Sequence, residues 1–181
     1  MPAIVLMLRG INLGPTRRIA MAQLRDALTD AGLSDVRTYV QSGNVVARSQ
    51  LEPTAVQELT EQTIEQRFGL DVPTVARTEV ELAAVVELNP LGAVATDPKR
   101  HQVSFLSAPL EPAVAQRLLA RAQEPEAIAI QGREIYAWHP DGIARSKLWN
   151  ALAGKGLGVT ATARNWATVT TLLGMAREAA A

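Results

Sequence analysis

Residues 39–47 read YVQSGNVVA, and residues 129–137 read AIQGREIYA. Each stretch breaks an apolar, β-branched or small-residue run with a short polar segment holding one glycine, then resumes the run at once. That is the signature of a β-hairpin. In the first, Gly43 and Asn44 tolerate the positive φ of a tight turn, whereas turn geometry asks less of Gln41 and Ser42. In the second, the turn is Gln131-Gly132-Arg133.

Outward from each hairpin the chain follows one order. Ala3–Leu8 is a continuous apolar run, read as a buried strand, and Val103–Leu106 is its counterpart. A helix follows each: Met21, Leu24 and Leu28 share one face and stop at Gly32, while Pro112 opens a helix through Val114, Leu118 and Leu119. After the first hairpin, Pro53 starts a helix carrying Val56, Leu59, Ile64 and Phe68 before Gly69. Val72–Ala76 reads as a strand, and Thr78 with Glu81 forms a capping-box pattern for a third helix. After the second hairpin, helices are expected near Ser146–Leu152 and Asn165–Glu178. Between the halves, NPLGAVATDPKRHQ (residues 89–102) shows no periodicity and two prolines, so the boundary is placed there.

The repeated order, strand, helix, strand, hairpin, strand, helix, predicts an α+β protein of two split βαβ, ferredoxin-like subdomains, with an internal duplication. Residues 1–95 form the first, and residues 96–181 form the second with two terminal helices. In such a unit the first two strands run parallel with the third between them. The loop after strand one, Arg9-Gly10-Ile11-Asn12, is therefore expected beside Gln41-Ser42-Gly43-Asn44 at one rim.

The chain has 181 residues, 48% of them hydrophobic, so a well-buried core is attainable and disorder is excluded. With no cysteine there are no disulfides, thiolate metal sites or thiol nucleophiles. Ala3–Leu8 is too short to span a bilayer and no basic segment precedes it, which points to a soluble, cytoplasmic protein with no membrane partner. Eighteen cations balance eighteen acids, which argues against strong non-specific DNA binding. The distribution is uneven. Eight acids (Glu52, Glu58, Glu61, Glu65, Asp71, Glu79, Glu81, Glu87) face only Arg67 and Arg77 across residues 52–87. Arg9, Arg17 and Arg18 in one stretch, and Arg145, Lys147, Lys155 and Arg164 in another, have no acid among them, so an anionic partner prefers those stretches.

RGINLG, MAQLRDALTDAG, VRTYVQSGNVV, HPDGIARSKL and TARNWATVTTLL, in this order along nearly the whole chain, resemble the bacterial domain-of-unknown-function family 1697; residues 50–130 match more weakly. The resemblance implies a compact α+β protein built from ferredoxin-like parts and implies no activity. After RGIN the family commonly continues with small residues and a lysine. Here Leu13-Gly14-Pro15-Thr16-Arg17-Arg18 stands instead, so Pro15 stiffens the loop and Arg18 presents a planar fork where the resemblance implies a point charge.

Four places are candidates for binding. The Arg9–Asn12 loop offers backbone N–H groups and a guanidinium to an anion, without the spacing of a phosphate loop or a dinucleotide fingerprint; equally, Asn12 caps a turn. Gln41, Ser42 and Asn44 are turn residues first, but the neighbouring loop gives them a second use. Arg145-Ser146-Lys147 opens a helix with Ser146 as N-cap, and two cations at that positive end suit a bound anion or simply extend into solvent. Arg164-Asn165-Trp166 opens the last helix, with Trp166 expected in the core beside Val169 and Leu173, and Arg164 free to stack on it or to reach an anion. Residues 154–158 (GKGLG) look more like a helix end than a phosphate loop. Catalytic patterns are poor: His101 is expected as an exposed linker residue and His139 in a turn, without metal-ligand spacing, and Ser146 with Lys147 point about 100° apart on a helix.

The expectation is a binding protein for a phosphate-bearing ligand, a nucleotide or RNA segment, through Arg9, Asn12, Arg18, Gln41, Ser42 and Asn44, with Arg145, Ser146, Lys147, Arg164 and Asn165 in the second half. No cofactor or metal is expected, and homo-oligomerisation is left open. Two other classes compete. An enzyme acting on a small anionic substrate without a covalent nucleophile would show turnover. A structural or dimerisation module would satisfy these side chains with its own groups.

Overall fold

The computed structural model describes residues 1–153 and 156–181; Gly154 and Lys155, within the glycine-rich stretch considered above, lie outside the described residues. The first half runs β1 (Ala3–Leu8), α1 (Met21–Asp30), β2 (Ser34–Tyr39), β3 (Asn44–Arg48), α2 (Pro53–Phe68), β4 (Thr74–Thr78) and α3 (Glu79–Leu88). The second runs β5 (His101–Leu106), α4 (Pro112–Leu119), β6 (Ala127–Gln131), β7 (Glu134–Trp138), α5 (Lys147–Ala153), β8 (Ala161–Asn165) and α6 (Trp166–Ala180). They build two four-stranded antiparallel sheets, ordered β2-β3-β1-β4 and β6-β7-β5-β8. The protein is thus α+β, with two ferredoxin-like subdomains.

Contacts divide the chain into two compact units, Met1–Ala84 with Thr171–Ala181, and Val85–Thr170. The dividing lines fall inside α3 and α6 rather than in the aperiodic loop. Three further details differ from the sequence reading. β4 begins at Thr74 rather than Val72, β5 begins at His101 rather than Val103, and β8 stands where no strand was expected.

The sheets repeat residue by residue. In the first, Val5 lies between Val46 and Arg77; in the second, Val103 lies between Tyr136 and Arg164. Leu6 pairs with Val45 and Ala76 as Ser104 pairs with Ile135 and Ala163. Beyond the strands, Leu8 N–H donates to Gly43 O (2.8 Å) and Leu106 N–H to Arg133 O (2.9 Å). Arg9 N–H then donates to Pro73 O and Ser107 N–H to Thr160 O, each at 2.9 Å.

Strand periodicity explains the cores. Ile4, Leu6 and Leu8 share one face of β1, join Val45, Ala47 and Ala76, and meet Leu24 and Leu28 of α1 with Val56 and Ile64 of α2. Leu106, Ile135 and Ala137 likewise meet Leu118 of α4 and Leu148 and Leu152 of α5. Each fully buried aliphatic side chain stabilises its unit by about 1.5–3 kcal/mol. Helix ends follow the sequence signals. Gly69 closes α2 at φ +65°. Thr78 N–H donates to Glu81 Oε2 (2.8 Å) while Glu81 N–H donates to Thr78 Oγ1 (3.1 Å), the reciprocal box opening α3. Among the described residues no helix is long and apolar enough to cross a membrane.

Candidate functional site

The two polar segments do meet at one end of the first sheet. Asn12 Nδ2 donates to Gln41 O at 2.8 Å, beside the bond from Leu8 N–H to Gly43 O. Gly43 sits at φ +76°, and a Cβ there would stand 2.7 Å from Leu8 Cβ and 2.9 Å from Ile11 Cδ1. Only glycine therefore lets the turn close onto the loop.

The loop itself is heavily pinned. Asn12 Oδ1 accepts Ile19 N–H (3.0 Å), Nδ2 also donates to Ile19 O (3.0 Å), and Asn12 N–H donates to Arg17 O (3.0 Å). Arg17 gives Nε to Gly10 O (3.0 Å) and Nη2 to Asp71 O (2.6 Å), and Arg18 Nε donates to Gly14 O (2.9 Å). In the sequence Arg17 counts only as one of three cations in an acid-free stretch, yet its side chain ties the loop to the segment before β4. These bonds hold Leu13 at the tip, 83% exposed. Left-handed backbone clusters here too: Gly10, Asn12, Arg17, Val40 and Gly43 all have positive φ. For Val40, a β-branched residue at φ +50° and 53% exposed, that is strain held by the surrounding turn.

The remaining candidates separate into two kinds. Arg9, Arg18 and Gln41 stand at the surface of the rim. Asn44 is buried and gives Nδ2 to Tyr39 O (3.1 Å) and to the Oγ of exposed Ser42 (2.9 Å), so it shapes the turn from beneath. Among the described residues no carboxylate pairs with Arg9, Arg17 or Arg18.

In the second unit, Arg145 and Lys147 are exposed on either side of buried Ser146. Ser146 Oγ accepts Trp149 N–H at 2.8 Å, the N-cap expected for α5. Arg164 lies inside, donating Nη1 to Thr162 Oγ1 (2.9 Å) and Ala163 O (2.8 Å), and burial lowers its pKa to about 10. Asn165 Oδ1 accepts Thr168 N–H (2.9 Å) and so caps α6, as Thr78 caps α3.

Both histidines are core residues, not the linker and turn side chains the sequence suggested. His101 is 1% exposed and its ring stacks on Trp166 at 4.6 Å; its charged neighbours Lys99 and Arg100 masked the start of β5. Burial, and secondarily the charge of His139, lowers its pKa to about 4. His139 is fully buried, and burial lowers its pKa against the opposing pull of Glu126. Ser146 Oγ (2.8 Å) and Glu126 Oε1 (3.4 Å) both address His139 Nδ1. A nucleophile relay needs its serine and its carboxylate on opposite ring nitrogens, so this trio is a packed polar cluster. Neither histidine's Nε2 has a hydrogen-bond partner among the described residues.

Between α1 and α2 an open cleft of about 270 Å³ is lined by Gln23, Asp26, Ala27, Asp30, Arg67 and Phe68. Arg67 pairs there with Asp30 at 2.6 Å, so the cleft offers an anion no uncommitted cation. Among the described residues no three His, Cys, Asp or Glu side chains gather to hold a metal ion.

The fold has a solved relative. The conserved bacterial protein SP0830 from Streptococcus pneumoniae superposes with a TM-score of 0.80 at 22% identity, covering 97% of this chain and 98% of that one. Among curated proteins none matches the chain. The model of the family described as "Protein of unknown function (DUF1697)" matches residues 1–136, which include the loop and the turn that meet at the rim. The chain belongs to the DUF1697 family.

Proposed function

We propose that the protein is a cytoplasmic binding protein for a phosphate-bearing ligand, a nucleotide or an RNA segment, engaged at the rim of the first unit. The observation that carries this reading is the grouping of Arg9, Arg17 and Arg18 on a pinned loop with no carboxylate partner among the described residues. Guanidinium groups recognise phosphate oxygens through planar, charge-assisted hydrogen bonds. A loop held in place before binding loses little entropy when the ligand arrives. Gln41 and Ser42 then border the arginines, while Asn12 and Asn44 hold the frame from behind.

A second reading has its own support. Asn12, Asn44, Ser146, Arg164 and Asn165 all bond protein groups, which is what residues that lock turns and helix ends would do. The two readings separate at the surface arginines. A thermal-shift titration with nucleoside triphosphates and short RNAs is expected to stabilise the native chain, and an R9A/R18A double variant is expected to need at least about ten-fold more ligand for the same shift. Binding to RNA should also weaken steeply with salt. Equal shifts in both proteins, or none in either, would overturn the proposal. A matching R145A/K147A variant reports whether the second unit's cations contribute.

A further inference from the structure

The two units present equivalent outer strands, β2 in the first and β6 in the second, each at one end of its sheet order. An outer strand exposes a row of backbone N–H and C=O groups, and proteins blunt it with charges or bulges. β2 is blunted. Its pairing with β3 breaks register between Ser34 and Arg37, Asp35 adopts φ +48°, and Arg37 pairs with Asp35 (2.9 Å) and Glu178 (3.5 Å).

β6 has none of these devices. It reads Ala127-Ile128-Ala129-Ile130-Gln131, carries no charge, and pairs with β7 in unbroken register. The two-residue turn at Gly132 and Arg133 makes Gln131 and Glu134 a hydrogen-bonded pair. Bonded pairs alternate along an antiparallel ladder, so the next ones inward fall at Ala129 and Ala127, and the peptide groups of Ile128 and Ile130 point away from β7. Among the described residues nothing hydrogen-bonds those groups.

We infer that β6 is a self-pairing edge: a second copy of the chain adds its own β6 antiparallel to it, about a two-fold axis at Ala129, joining two sheets into one. In that register Ile128 faces the partner's Ile130 and both exchange their outward N–H and C=O groups, completing the ladder that each copy leaves open. The strand's own symmetry selects a second copy over an unrelated extended peptide. Residues 127–131 read Ala-Ile-Ala-Ile-Gln, nearly the same in both directions from Ala129, so antiparallel self-pairing sets isoleucine against isoleucine on both sides of the axis with no charge in the paired segment. Ile128 and Ile130, only partly buried against their own core, continue across the axis onto the same residues of the partner.

The chain contains no cysteine, so single replacements report the register cleanly. Ala129 faces its own copy as a non-bonded pair with Cβ atoms about 5 Å apart, within reach of a disulfide after small adjustment. Ala127 faces the partner's Gln131 and lies far from its counterpart. Sedimentation of the native chain is expected to show a dimer that dissociates on dilution through the micromolar range, as a small interface should. On mild oxidation A129C is expected to form a linked dimer at least ten-fold faster than A127C. A monomer at all concentrations up to about 1 mM, or a dimer in which A129C links no faster than A127C, would overturn the inference. So would dimerisation that A129C fails to trap.

Discussion

Two sheets of one register surround the chain's two hairpins, and what distinguishes them is the length of chain at one end. In the first unit, residues 9–20 separate β1 from α1 and residues 40–43 separate β2 from β3; in the second, residues 107–111 and 132–133 make the same connections. The shorter pair shows what the fold requires. The longer pair adds a pinned tip, a strained Val40 and uncompensated arginines at one rim. The second unit departs elsewhere, between β7 and β8, where α5 replaces the long α2 and the buried histidines lie alongside. Strand register tolerates wide changes of side chain, because what it demands is apolar volume on one face and backbone pairing along the edge. Added loop length answers to no such demand, so the two rims differ while the sheets stay alike.

The comparison can be broken most sharply at the two hairpin glycines. Gly43→Ala meets the backbone-anchored Leu8 Cβ at 2.7 Å and the buried tip of Ile11 at 2.9 Å and also stands at positive φ, so a loss of about 3 kcal/mol is expected in chemical denaturation. Gly132→Ala meets only Glu134 at 3.9 Å and should lose roughly 1 kcal/mol, mostly from its φ. Equal losses would mean the first turn is no more constrained than the second.

Acid should separate the units next. The unfolded chain takes up a proton at His101 near pH 6.5, whereas the folded one does so only near pH 4. The stability linked to this group is therefore complete above pH 6.5 and declines as the pH falls through that window, by on the order of 3 kcal/mol once both states are protonated. Amide exchange followed from pH 7 to pH 4 is expected to show the second unit loosening first, and H101F should flatten the dependence. Loosening of the first unit ahead of the second would contradict the placement of the histidines. Smaller again, Asn12→Ala removes the bonds to Ile19 and Gln41 and is expected to cost about 2 kcal/mol while raising exchange at Leu13–Thr16. The smallest effects test the likeness itself. Thr78→Ala and Asn165→Ala each delete the cap of a helix leaving an outer strand, and each should cost about 1 kcal/mol. A large inequality between them would weaken the equivalence.

Much of this was legible in the residues because the signals are local. The apolar run of β1, the heptad-like spacing in α1 and α2, the Thr78–Glu81 box and the glycine turns all act within a few residues of themselves. β8 was not legible, since Ala-Thr-Ala-Arg-Asn has a single β-branched residue, no aromatic and no large aliphatic one, and becomes a strand only by pairing with β5. His101 was misread for the same reason: its burial depends on Trp138 across the ladder and on Trp166 far along the chain. At the rim, topology predicted that Asn12 and Gln41 would be neighbours. It did not predict that Asn12 would hand its amide to the backbone, because a side chain's partner is decided by the tertiary structure around it.

The division of the chain has a consequence for its synthesis. The first unit needs Thr171–Ala181, where Arg177 meets Glu79 at 3.3 Å and Glu178 meets Arg37 at 3.5 Å. Every residue of the second unit precedes them. The half that begins first is therefore completed after the other, and until then its β2 edge waits for Glu178, one of the two acids that pair with Arg37 there.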